Sequence, residues 1–182
     1  MKILETERLI LCEIVESDAE FIFDLVNQPS FIKYIGNRGI DSLEKAREVI
    51  ENRYRASYTE FGYGLYLVEL KPEFCTLADA RVSASSKNTP VGFCGFVRRE
   101  GLPEADIGFA FLPQFEKKGY AFESASAVMK YGRKILHLTR VLAITSQDNE
   151  SSIRLLEKLG FKFERLIKLP DDTEELNLFA SE

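Results

Sequence analysis

The stretch from Asp106 to Glu123 holds the residues best suited to gripping an anion. An apolar run, Ile107 to Leu112, leads into a turn bearing Lys117 and Lys118, and that turn opens onto a helix near Tyr120. The first N–H groups of a helix lack intrahelical partners and carry partial positive charge, so such a junction can hold a phosphate. Gly119 permits close backbone approach, Ala121 keeps the first helical turn narrow, and the two lysines add cationic charge. An ordinary strand–helix connection with solvated lysines has the same spacing, and spacing alone does not separate the two. Neither the P-loop pattern nor G-x-G-x-x-G is present, so nothing supports an NTPase or a dinucleotide enzyme.

Other chemistry is thinly represented. His137 is the sole histidine and falls at the end of a helical pattern, where a cation is favourable and a surface role is expected. Cys94 has no histidine placed by sequence to activate it, which argues against an acyl-cysteine mechanism. Cys12, Cys75 and Cys94 are odd in number and form no C-x-x-C pair, so reduced, buried thiols are expected rather than a disulfide framework or a zinc site.

The elements that must position these groups follow from local pattern. Leu9 to Ile14 reads as a strand. Ser17-Asp18 offers an N-cap to a helix that stops before Pro29, and a second helix begins near Asp41-Ser42 with Val49, Ile50 and Tyr54 as its apolar stripe. Gly62 and Gly64 break that helix, and Leu65 to Leu70 is a strand. Pro72 to Pro90 reads as a long loop, Pro90 to Val97 and Ala105 to Leu112 as strands joined by a turn. A helix over Tyr120 to Leu138 places Val128, Gly132 and Ile135 on one stripe. Arg140 to Thr145 is a strand, and Asp148-Asn149 caps a last helix that Gly160 ends. Phe161 to Ile167 and Glu175 to Phe179 form a terminal antiparallel pair around Pro170-Asp171-Asp172. The order β-α-α-β-β-β-α-β-α-β-β predicts an α/β (α+β) domain with a largely antiparallel central sheet flanked by helices.

Composition sets the frame. At 182 residues, with 45% hydrophobic and 29% charged side chains, the chain is expected to form one domain over residues 1–182. A formal charge of −5 gives no footprint for nucleic acid and mildly favours a cationic acceptor. No signal-peptide core or run of apolar residues long enough to span a bilayer is present, so a cytoplasmic protein without membrane partners is expected.

Three ordered motifs resemble the GNAT N-acetyltransferase superfamily, in particular its branch of ribosomal-protein N-terminal acetyltransferases. Ile107-Gly108-Phe109, Leu112-Pro113-Gln114 and Lys118-Gly119-Tyr120-Ala121 with Glu123-Ser124 are similar to its acetyl-CoA motif. Asn149, Ser152 and the run Leu155-Leu156-Glu157-Lys158-Leu159-Gly160-Phe161 are similar to a second signature, and Glu7-Arg8-Leu9-Ile10-Leu11 to its opening. Gly62-Tyr63-Gly64 fits as well.

The resemblance implies an acetyl-CoA-dependent N-acetyltransferase acting, without metal, on a primary amine of a protein N-terminus or a small molecule, as monomer or homodimer. It implies that a splayed strand bearing Phe109, Ala110, Phe111 and Leu112 pairs with the pantetheine amides, and that Lys117, Lys118, Gly119, Tyr120, Ala121 and Phe122 hold the pyrophosphate. Asp106 is the implied general base, with Glu104 the alternative. Many members carry a tyrosine acid on the last helix, where this chain has Leu156. Ser152 then either contacts the CoA sulfur region or merely caps its helix, and Asn149 caps, binds pantetheine, or does both. Phe61, Tyr63, Tyr66 and Phe96 shape the core or the acceptor pocket. Two positions depart from the pattern: Glu116 stands where the family has Gln, Arg or Trp, and Lys117 where it has the first loop glycine. These departures, with Leu156, leave a catalytically weak or inert CoA-binding module of the same fold as the alternative.

Overall fold

In the computed structural model, which describes residues 1–76, 88–170 and 174–181, one eight-stranded sheet runs through the molecule. The strands are β1 (Lys2–Glu5), β2 (Leu9–Glu13), β3 (Leu65–Leu70), β4 (Thr89–Val97), β5 (Asp106–Phe111), β6 (Leu142–Thr145), β7 (Lys162–Ile167) and β8 (Leu176–Ala180). Their order is β1-β2-β3-β4-β5-β6-β8-β7. Every neighbouring pair is antiparallel except β5 and β6, which run parallel. The expected largely antiparallel sheet is therefore present, with one strand more than the sequence pattern indicated. The additional strand is β1, which is short and only partly buried and so carries little apolar signal.

The helices are α1 (Ala19–Val26), α2 (Pro29–Ile35), α3 (Leu43–Val49), α4 (Ala56–Phe61), α5 (Tyr120–Lys134) and α6 (Glu150–Lys158). Six residues of wider, π-type turn, Ile50–Arg55, join α3 to α4. Ser42 caps α3 by accepting from the Lys45 N–H at 3.2 Å. The first helix stops before Pro29, as its pattern suggested, and Pro29 then occupies the first turn of a further helix, α2, where its missing N–H leaves no bond unmade. Of the expected loop from Pro72 to Pro90, residues 77–87 lie outside the described residues, as do Asp171 and Asp172 of the expected terminal turn. Pro72–Phe74 forms one tight helical turn.

The core lies between the sheet and its helices. Leu9, Leu11, Val68, Cys94, Phe96, Ala125 and Val128 are all 0% exposed within it. A Cβ on Gly132 would sit 2.5 Å from the Phe96 ring, so the glycine lets α5 lie close on β4. Tyr63, Tyr66 and Phe96 are buried in this core, whereas Phe61 is 38% exposed. β8 inserts between β6 and β7, so the terminal pair forms as expected but the later strand is the inner one.

Candidate active site

β5 and β6 share a single register position, Asp106 opposite Leu142. Beyond it they diverge, and the edge of β5 from Ile107 onward faces a cleft instead of a neighbouring strand. The cleft encloses about 950 Å³ and is lined by Phe109, Ala110 and Phe111 of β5, Ala143 to Ser146 along β6, and Asn149 and Ser152 of α6. Its far wall holds Lys117, Gly119, Ala121 and Phe122 at the start of α5. An extended ligand carrying amides and an anionic end fits such a space: backbone groups on a strand edge pair with the amides, and the helix start takes the anion.

The turn before α5 has an unusual backbone. Gly119 has φ +85°, in the left-handed region, where a glycine is at ease. Lys117 has φ +59°, a conformation a side chain resists. The position is thus built for glycine yet holds lysine, and its side chain lines the cleft. Glu116 is exposed and lines it too.

Asp106 is 1% exposed and lies where β5 meets β6. Arg99 holds it, donating from Nε to Oδ1 at 3.4 Å and from a terminal nitrogen to Oδ2 at 3.2 Å. Burial pushes the Asp106 carboxyl above the usual aspartate range, and the guanidinium opposes that rise. Both residues line the cleft. Glu104 does not: it pairs with Arg140 at 3.2 Å and lines a separate, smaller depression.

On α6, the Asn149 side chain accepts from the Ser152 N–H at 3.1 Å and so caps the helix. Ser152 and Leu156 stand four residues apart on one face of α6 and both line the cleft, Leu156 being 1% exposed. Cys94 is fully buried with its thiol pushed up to about 12, which removes the thiolate a nucleophile requires. His137 is exposed and does not line the cleft.

Ten of the thirteen residues singled out in the sequence line this one cleft: Asp106, Phe109, Ala110, Phe111, Lys117, Gly119, Ala121, Phe122, Asn149 and Ser152. Leu112 and Tyr120 are buried behind it, and Lys118 sits over the Phe115 ring at 5.3 Å. Sequence reasoning missed Arg99, whose partner is set by the pairing of Val97 with Asp106 across β4 and β5. It also missed Tyr34 and Arg38, which line the cleft from α2 and the segment after it. Pro29 was the available signal for that helix.

A largely antiparallel sheet with one splayed parallel junction, opening onto a helix start, defines an acyltransferase fold of the GNAT class. Comparisons with known proteins agree: the acetyltransferase (GNAT) domain family matches residues 8–162. The chain belongs to the GNAT acetyltransferase family and is an acyltransferase. An uncharacterized N-acetyltransferase, YoaA, of Bacillus subtilis (strain 168) is 32% identical over 169 residues, covering 91% of this chain and 86% of the relative. A GNAT-family acetyltransferase structure from Bacillus anthracis superposes with a TM-score of 0.73 at 27% identity, covering 99% of this chain and 96% of that one. RimL, a ribosomal L7/L12 α-N-protein acetyltransferase solved in complex with coenzyme A, has the same fold, with a TM-score of 0.77 at 21% identity and coverage of 99% and 97%. Among the described residues no helix is long and apolar enough to cross a membrane, and no cluster of side chains is suited to a metal ion.

Proposed function

We propose that residues 1–182 act as one domain, an acetyl-CoA-dependent N-acetyltransferase that moves an acetyl group directly onto a primary amine of a protein N-terminus or a small molecule in the cytoplasm. The observation that carries this reading is the divergence of β5 from β6 beyond Asp106 and Leu142, which opens a strand edge toward the start of α5. Acetyl-CoA supplies an activated acyl carbonyl and a thiolate leaving group.

The chain's own residues divide the remaining work. Backbone groups of Phe109, Ala110, Phe111 and Leu112 orient the pantetheine arm. Lys117, Lys118, Gly119, Tyr120, Ala121 and Phe122 present N–H groups and cationic charge to the pyrophosphate. The acceptor enters as an ammonium and must lose a proton before its nitrogen can bond to carbon. Asp106 takes that proton, directly or through a water. Arg99 engages each carboxylate oxygen only once, and a carboxylate has about four acceptor sites, so capacity remains for the incoming N–H. Ser152 places a hydroxyl on the α6 face where Leu156 offers only hydrocarbon, and it donates toward the departing sulfur. Asn149 holds the first turn of that helix in place.

Calorimetric titration with acetyl-CoA, followed by thiol release across a panel of amines and N-terminal peptides, tests the reading. Binding with turnover on at least one primary amine is expected; binding without turnover on any acceptor contradicts it.

A further inference from the structure

Arg8 does not line the cleft, and it lies 115 residues from Glu123 in sequence. Yet it makes four contacts around the turn that opens α5, three of them through its side chain. Its Nε donates to Glu123 Oε2 at 2.7 Å, and its backbone N–H donates to Glu123 Oε1 at 2.9 Å. A terminal nitrogen donates to the Lys118 carbonyl at 3.0 Å, and the guanidinium covers the Tyr120 ring at 4.6 Å. A Cβ added at Gly119 would come within 3.2 Å of the other terminal nitrogen. Thr6 completes the set, donating its hydroxyl to Glu123 Oε1 at 2.5 Å.

The backbone these contacts grip is the strained one. Lys118, whose carbonyl Arg8 holds, sits between the two left-handed residues Lys117 and Gly119. A side chain stays in the left-handed region only where its surroundings over-determine the backbone. With the Lys118 carbonyl fixed by a guanidinium that is itself anchored on Glu123, the intervening peptide planes have little freedom to turn.

We propose that Arg8, anchored by Glu123, is a positioning residue for the acyl donor: it holds the 117–119 turn in its left-handed form so that the N–H groups at the start of α5 stay aimed at the donor's pyrophosphate. The inference rests on the proposed acetyl-CoA site. It assigns to the opening of β2 a part in donor binding that the cleft lining alone does not reveal.

The test is a double-mutant cycle on coenzyme A affinity, measured calorimetrically with the full chain as wild type, Arg8→Met, Lys117→Gly and the double variant. Arg8→Met is expected to weaken coenzyme A about tenfold beside Lys117 but only about twofold beside glycine, which holds the left-handed turn unaided. Amide hydrogen exchange over residues 117–121 of the free protein is expected to quicken in Arg8→Met. If Arg8→Met does not fold, Arg8→Lys takes its place, since an ammonium cannot span Glu123 and the Lys118 carbonyl as a guanidinium does. Equal losses in the two backgrounds, or unchanged exchange over 117–121, overturn the inference while leaving the enzyme reading standing. Failure of the wild type to bind coenzyme A overturns both.

Discussion

Arg99 grips Asp106 through both carboxylate oxygens, at 3.4 and 3.2 Å, at the one register position that β5 shares with β6. The pair therefore sits at the apex of the splay, where a strand edge on one side gives way to open cleft. A carboxylate buried this deeply without a cation would strongly favour its protonated form; the guanidinium restores part of its acidity and fixes its direction.

Replacing Asp106 by Asn is expected to lower kcat by about 10²- to 10⁴-fold, the range of a lost general base. Wild-type kcat/KM is expected to rise with pH through an acidic limb above the ordinary aspartate pKa of about 3.9, because burial raises the carboxyl. Arg99→Gln removes the opposing cation, so the limb moves to higher pH. Initial rates against pH for the three proteins check this, and an unchanged limb in Asp106→Asn removes Asp106 from the mechanism.

Lys117→Gly separates strain from binding. Relief of a left-handed side chain is worth about 1–2 kcal/mol, and the added freedom of an unfolded glycine takes back about 0.5–1 kcal/mol. Thermal unfolding is thus expected to show a small gain in stability, while KM for acetyl-CoA rises through loss of the ammonium. A loss of stability contradicts the strain account.

Ser152 and Asn149 should fail differently. Asn149→Ala removes a helix cap and is expected to cost about 1 kcal/mol in denaturant unfolding. Ser152→Ala leaves that cap bond intact, because Ser152 contributes its backbone N–H, so stability should hold while kcat falls. Parallel losses of stability in both variants would make Ser152 a structural residue.

Glu123 carries a pH signature of its own. Burial raises its pKa, but the bonds from Thr6 and Arg8 outweigh that and leave it below the usual glutamate range. The folded state therefore binds this proton more weakly than the unfolded chain. Its contribution to stability is full above the unfolded pKa of about 4.3 and is lost as pH falls through the lower folded value. Glu123→Gln should flatten the acid side of the stability profile, which urea midpoints between pH 3 and 6 would show; an unaltered slope contradicts it.

What could be read from sequence was whatever the chain states locally. The strand, lysine turn and helix start from Asp106 to Glu123 are contiguous, so their shape follows from neighbouring residues. The caps at Ser42 and Asn149 are local as well. Arg99 was hidden because it meets Asp106 only through cross-strand register, and Arg8 because it meets Glu123 only after the sheet has formed. The place of β8 inside β7 is likewise a choice among strand partners that no local pattern records. Pro29 shows a different limit: α1 ends before it as its pattern indicates, but a proline that follows one helix can also begin the next, and the start of α2 there is set by the flanking geometry.

In the proposed reaction the acetyl group passes directly from donor to amine within a single cleft, and the protein never carries it. Initial-rate thiol release, with acetyl-CoA varied at several concentrations of an accepted amine, tests it most directly. Intersecting double-reciprocal lines, the mark of both substrates bound together, are the predicted result. Parallel lines, the mark of a covalent acyl-enzyme, would contradict it.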